Sequence, residues 1–467
     1  MSGTDASFLY FETPSSHMHV LGTIVLSTRD RPGWSADDVI ALIEDRLDLL
    51  PPFRRKVAPA TLRLHHPFWV DVPHVDVASH VSRVHCPAPG GMAELAHEVE
   101  AFASTQLDRS RPLWEALVVE GMADDKAAIV FKVHHCAVDG VAAARILGNL
   151  FDLSPAGRTE AELLGARAEA KAANKPEPGL LDVALHTVTG LALRPLQLAR
   201  LLPTTAKAVA GLARHRTGGE SSGGAVPLNA PRAPFNGAIT PGRVVAYVDV
   251  PLADVKAVKA AVGGTFNDAI TALCGGAFRG YLDKLDALPD SSLIAVVPVS
   301  VRGGEDDDGA NRVSAMFTVL GTDIADPVER LQVVRQANQV AKGDHAALGN
   351  DLLSRMSQLA PPNTTTAIAR FYSALRLANL HPVVHNVVIS NVSGPPIQIY
   401  MAGLPVEGLF PLGPVLEGPA LNITAVSYRD RVGFGLIACS DRMPDLPDLA
   451  AQFPLALEET LAALGAR

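Results

Sequence analysis

The sequence is poor in cysteine: Cys86, Cys136, Cys274 and Cys439 stand far apart among 467 residues and form no CxxC pair. That spacing encodes neither a disulfide framework nor a zinc site, and it fits a reducing cytoplasm. Charge is scarce as well, at 19%, and positive charge is in deficit: 40 Lys plus Arg against 49 Asp plus Glu give a formal net charge of −9. A nucleic-acid partner held through overall charge is excluded. No uninterrupted apolar run approaches the ~18–20 residues that span a bilayer. The nearest, Leu180 to Leu202, is broken by His186, Arg194, Gln197 and Arg200. Met1 to Phe8 lacks a basic stretch followed by an apolar one, so no signal peptide is expected there. Apolar residues are abundant, at 48%, and the length favours two domains.

One stretch has the composition of a linker. Residues 215–243 are dense in Gly, Pro and Ser and carry no apolar period. It divides an N-terminal lobe, 1–214, from a C-terminal lobe, 244–467. In the first, a strand is expected over Met18–Leu26 and a helix over Ala36–Leu47, with Ser35 as N-cap and Asp38 three residues on. A second helix is expected over Met92–Ser104, where Leu95, Val99 and Phe102 share a face. The second half opens with a strand over Arg243–Val250 and a helix carrying Val255, Val258 and Val262. A longer helix follows over Asn267–Leu282, then a β-branched strand over Leu293–Val301. Strands and helices interleave in both halves, so the expected fold is α/β with mixed sheets in two lobes. Leu180–Arg214 reads either as bridging helices or as an amphipathic face for a lipid layer, and composition leaves both open.

The chemistry concentrates at Ala127–Leu150. A strand, Ala127–Val133, ends at His134-His135-Cys136-Ala137-Val138-Asp139-Gly140, and a helix is expected from about Val141. Histidine exchanges its proton near neutral pH and can accept one from an attacking hydroxyl. Successive strand side chains face opposite ways, so one histidine should face a cleft and the other the interior. Asp139 could orient the working imidazole or brace the loop, and Gly140 lets the chain turn into the helix. His65-His66 lacks the Asp-Gly tail and reads as structural.

The motif HHxxxDG resembles the active-site signature of CoA-dependent acyltransferases, a superfamily that includes chloramphenicol acetyltransferase and peptide-synthetase condensation domains. The rest of the chain resembles one branch, the bacterial wax ester synthase/diacylglycerol acyltransferases of the mycobacterial triacylglycerol synthase type. Asp5-Ala6-Ser7-Phe8-Leu9 with Glu12, Met18-His19-Val20, Pro52-Phe53-Arg54 and the PLW of Pro112-Leu113-Trp114 carry it in the first half. Asn267-Asp268, Gly276–Arg279, Pro298–Arg302, Ser390-Asn391-Val392-Ser393-Gly394-Pro395 and Leu421–Thr424 carry it in the second. The chain departs from the pattern at Ala310, where Gly is expected, and at Ser393, where Pro is usual; these bear on substrate preference.

The resemblance implies two chloramphenicol-acetyltransferase-like lobes with the active site in a tunnel between them. It implies an acyl-CoA donor, and diacylglycerol or a fatty alcohol as acceptor. His135 would be the general base for direct attack of the acceptor hydroxyl on the thioester. Asp139 would hold the loop beside His134 and Gly140, and Asn267 would stabilise the oxyanion or position the acceptor. No metal or bound cofactor is implied, acyl-CoA being a co-substrate. The chain would be cytoplasmic, with a membrane or lipid-droplet surface as a peripheral partner.

Other patterns weigh less. Gly219-Glu220-Ser221-Ser222-Gly223 satisfies GxSxG, but a nucleophile elbow needs a strand before it and a helix after it, and here the flanks are linker. Cys136 reads as a packing residue. Trp114 could line an acyl channel or anchor a core, and Arg54, Arg55 and Lys56 could meet CoA phosphates or water. Two rival functions remain at this stage: an acyltransferase fed by a carrier protein, and an acyl-lipid or droplet-coating protein without turnover.

Overall fold

The computed structural model describes residues 1–60, 66–138, 146–173, 225, 228–300, 313–348 and 361–465. The segment Leu180–Arg214, the Ser221 motif, His65 and Ala310 lie outside the described residues. Two six-stranded mixed sheets form two lobes. In the first, the order is Tyr400–Met401, Leu404–Leu412, His19–Ser27, Lys126–His134, Trp114–Met122, Val81–His85. In the second it is Arg243–Pro251, Arg431–Cys439, Leu421–Tyr428, Val387–Ser393, Ile294–Ser300, Val313–Val319. The parallel pair Val81–His85 and Trp114–Met122 is connected across the helix Met92–Ala103, whereas the parallel pair Val387–Ser393 and Leu421–Tyr428 is connected through Leu404–Leu412 of the other sheet.

Most expected elements form close to their expected bounds. The helix Ala36–Arg46 has Ser35 at its N-cap and closes a capping box through Asp38. Phe266–Lys284 closes another between Thr265 and Asp268. Its buried residues pack with Phe434, Leu436 and Phe453 in the second-lobe core.

Two features depart from the sequence reading. Of the stretch read as a linker, residues 229–243 pack into the second lobe. Phe235 is buried with its ring 5.7 Å from that of Phe278. The Asn236 side chain bonds Ala233 N, Asn386 O and the Asn386 amide. Isolated anchors of this kind leave no periodic trace, whereas Gly and Pro dominate the composition. The other departure is Leu404–Leu412. It lies in the half expected to form the C-terminal lobe, yet it pairs with His19–Ser27 in the first-lobe sheet, Leu21 opposite Leu412 and Ile24 opposite Leu409. Its neighbour in the second lobe crosses it closely. A Cβ on Gly433 would meet Leu409 O at 2.3 Å, and one on Gly435 would meet Pro411 O at 2.1 Å. Only glycine permits that crossing.

Candidate active site

The strand Lys126–His134 is buried along nearly its whole length, so its end delivers the histidines to a fixed place. The backbone secures both. His134 N donates to Leu113 O (3.0 Å) and His135 N to Met18 O (2.9 Å). The Leu113 carbonyl of the PLW triplet and the left-handed Met18, at φ 50°, are therefore structural supports of the loop. Holding a non-glycine residue there costs of order 1 kcal/mol, which the surrounding pairing offsets.

The two imidazoles then part. His134 is fully buried, and its Nδ1 accepts from Cys136 N at 3.1 Å. The remaining proton sits on Nε2, which faces Glu12 Oε2 at 3.6 Å. Burial, against the pull of Glu12, holds its pKa below the usual histidine range, so the ring is neutral. His135 is half-buried and stacks on Phe8, with centroids 4.0 Å apart and planes 12° apart. Phe8 belongs to the helix Gly3–Phe11, whose N-cap Ser2 accepts from Asp5 N at 3.1 Å.

Behind His134 stands a charged pair. Arg109 Nε donates to Glu12 Oε2 at 2.7 Å and its Nη2 to Leu9 O at 2.9 Å. Burial pushes the Glu12 carboxyl up, but His134 and Arg109 outweigh it and hold it below the usual carboxylate range. His19 lies opposite His134 in the sheet register. Burial first, then the Lys132 cation, push its pKa well down, so this ring too is neutral.

In the second lobe, Asn267 opens the helix Phe266–Lys284. Its Oδ1 accepts from Asn391 Nδ2 at 2.6 Å, which leaves its own amide Nδ2 buried and unpartnered. Asp268 turns the other way, accepting from Thr265 N and from Asn338 Nδ2 at 2.7 Å. The Asn-Asp pair thus divides into a capping carboxylate and an unpartnered amide donor. Asn267 is bonded within its own lobe, to Asn391 and, through its backbone carbonyl, to Thr271.

The family model of the wax ester synthase/diacylglycerol acyltransferase catalytic domain matches residues 1–270, and that of the WS/DGAT C-terminal domain matches 309–460. The chain belongs to the wax ester synthase/diacylglycerol acyltransferase family. It is similar to a Mycobacterium tuberculosis H37Rv protein provisionally named a diacylglycerol O-acyltransferase, with 38% identity over 464 residues, 99% of this chain and 90% of that one. The wax ester synthase/diacylglycerol acyltransferase of Marinobacter aquaeolei VT8 superposes with a TM-score of 0.67 at 29% identity, covering 99% of this chain and 98% of that one. The first condensation domain of a calcium-dependent antibiotic synthetase, with a TM-score of 0.54 at 13% identity and coverage of 98% and 95%, shares the two-lobed fold alone.

For this acyltransferase, the remaining sequence candidates sort by what they touch. Asp139 and Gly140 lie outside the described residues. Trp114 is a core anchor: its ring lies between Phe53 (4.3 Å) and His80 (4.4 Å), and its Nε1 donates to Phe53 O. Cys136 is buried against Ala6, Leu9 and Leu113, and burial pushes its thiol well above the ordinary range, so it is a packing residue. Arg54 faces Asp48 and Arg55 bonds Asp71, so both are engaged within the fold. His66 is buried with its Nδ1 on Tyr10 OH at 2.7 Å. The Glu12–Arg109 pair, the Phe8 stack and the Asn391 bond were not assigned roles from sequence. Glu12, Phe8 and Asn391 lie inside matched motifs, which was the available signal; Arg109 had none.

Proposed function

We propose that this chain transfers a fatty acyl group from acyl-CoA to the hydroxyl of diacylglycerol, making triacylglycerol, and that long-chain alcohols are a second acceptor class. The observation that carries the assignment of roles is the division of the two histidines. His134 is sealed, with Nδ1 accepting a backbone N–H and Nε2 turned to Glu12. His135 is the half-buried one, its backbone N–H held by Met18 O and its ring stacked on Phe8.

In this reading His135 removes the proton of the acceptor hydroxyl as its oxygen attacks the thioester carbonyl carbon. The carbonyl oxygen takes up the negative charge of the tetrahedral intermediate. A buried amide N–H without a partner is the kind of donor that such an oxyanion requires, and Asn267 Nδ2 is one. Collapse re-forms the carbonyl and breaks the C–S bond. The proton held by His135 passes to the departing CoA thiolate, leaving ester and free CoA. Substrates reach the histidine through a tunnel between the lobes, and no metal or bound cofactor has a part. Among the described residues no helix is long and apolar enough to cross a membrane. Acceptors this insoluble place the chain peripherally at a membrane or lipid-droplet surface.

The test is release of free CoA from palmitoyl-CoA with dioleoylglycerol or hexadecanol. Acceptor-dependent release that is lost in His135→Ala supports the reading and ranks the acceptors. Absence of release with either acceptor overturns it.

A further inference from the structure

The helix Pro362–Ala374 is amphipathic in the wrong sense for a water-facing element. Its inward face is small and polar. Ser373 Oγ donates to Glu417 Oε1 at 2.6 Å and receives a 3.5 Å bond from Thr13. Its outward face carries Ile368 at 63% exposure, Phe371 at 61% and, at the C-cap, Leu375 at 52%. These fall at spacings of three and four, one continuous stripe. Leu380, 78% exposed, extends it, because Tyr372 of the helix bonds the adjacent His381. A soluble surface rarely leaves four large apolar side chains side by side.

The charges that neighbour the stripe along the chain share one sign. From Leu352 to Val406 the sequence contains no Asp or Glu, in a chain whose net charge is −9. Arg370 and Arg376 are exposed on the helix and just past its end. Arg232, also exposed, donates to His381 O beside Leu380. Apolar side chains with three exposed arginines beside them complement a surface that is greasy beneath and anionic above. The helix also packs on Gly3–Phe11, the helix whose Phe8 lies on His135.

We propose that the outward face of Pro362–Ala374, with Leu375 and Leu380, docks the enzyme on an anionic lipid surface. This rests on the acyltransferase reading only for its purpose. The acceptor would pass from the lipid into the site beside Phe8 without crossing water. The apolar stripe enters the acyl layer and Arg232, Arg370 and Arg376 meet headgroup phosphates.

Co-sedimentation with phosphatidylcholine vesicles, with and without phosphatidylglycerol, tests the surface without turnover, so it stands or falls separately from the acyl-transfer assay. The full chain is expected to bind the mixed vesicles. Ile368→Ser/Phe371→Ser/Leu375→Ser should weaken binding about 100-fold or more. Arg370→Glu/Arg376→Glu should weaken it some tens-fold and only where phosphatidylglycerol is present. Leu153→Ser, removing an exposed leucine elsewhere, should change nothing. If the triple serine variant does not fold, the double arginine variant decides alone. Wild-type binding by either variant, or no binding by the unaltered chain, overturns the proposal. So does a wild-type dimer that the serine variant converts to monomer without vesicle binding, since the face would then belong to a second copy.

Discussion

In the proposed mechanism the two lobes furnish the site in opposite styles. In the first, the support is a dense charged network: His134 Nδ1 accepts a backbone N–H while its Nε2 faces the Glu12 carboxylate at 3.6 Å, Glu12 is paired with Arg109, and the loop backbone is pinned to Leu113 and Met18. In the second, a single bond from Asn391 orients Asn267 and leaves an amide N–H buried with nothing to bond. A network built around a carboxylate defines position, whereas an amide donor that no charge faces stores an unmet interaction that a developing charge can satisfy. On this view the first lobe supplies the proton acceptor and the second supplies the electrostatics.

That contrast can be broken experimentally. The largest expected effect is His135→Ala, which should lower kcat about 10²–10⁴-fold while the thermal midpoint stays put. Asn267→Ala should follow, costing about 10²–10³-fold in kcat; an unchanged kcat would remove the oxyanion role. Within the charged network, Arg109→Ala should destabilise more than Glu12→Gln. The first strands a carboxylate in the interior, at about 2–4 kcal/mol, whereas the second leaves a half-exposed guanidinium that water can reach, at about 1 kcal/mol. Chemical denaturation of both variants checks the order. Asn391→Asp sharpens the other side. A carboxylate there accepts rather than donates, so it should turn the Asn267 amide around and lower kcat by up to about 10²-fold with little change in KM.

The smallest effect is a pH slope. His17, His19 and His134 are all held below their ordinary value of 6.5, in each case chiefly by burial. Their unfolded forms take up protons near 6.5 while the folded forms stay neutral. Their contribution to stability is therefore complete above that pH and declines as the pH falls below it toward the folded values. Melting temperatures should drop on going from about pH 7.5 to about pH 5.5, and His19→Gln should flatten the slope. A melting temperature that rises on acidification contradicts the assignment.

Much of the fold was legible because it is written locally. Ser35 and Asp38 announce the helix Ala36–Arg46, and the apolar period over Asn267–Leu282 announces Phe266–Lys284. The histidine loop was legible as a compact polar cluster ending an apolar run. The Glu12–Arg109 bond, 97 residues apart, and the Asn267–Asn391 bond, 124 apart, leave no pattern in a window of any useful length. Phe235 was missed for a related reason: one aromatic anchor in a Gly- and Pro-rich stretch has no period to betray it. The crossing of Leu404–Leu412 into the first-lobe sheet was equally silent, since β-strand alternation says that a strand is half-buried and not which sheet it joins.

What the sequence determined by itself was the chemistry available: two lobes' worth of apolar residues, a strand ending in His-His, and an Asn-Asp pair opening a helix. Strand alternation led to the expectation that the two histidines face opposite ways, and they do part, although the strand ends at His134 and His135 stands in the turn after it. Which of them is sealed was decided by the tertiary structure alone. The pairing of His134 with His19, the Leu113 carbonyl and the Glu12–Arg109 pair together turn one ring inward, and the other is left to meet Phe8. Alternation along a strand has no sign of its own; only contacts from distant parts of the chain can supply one.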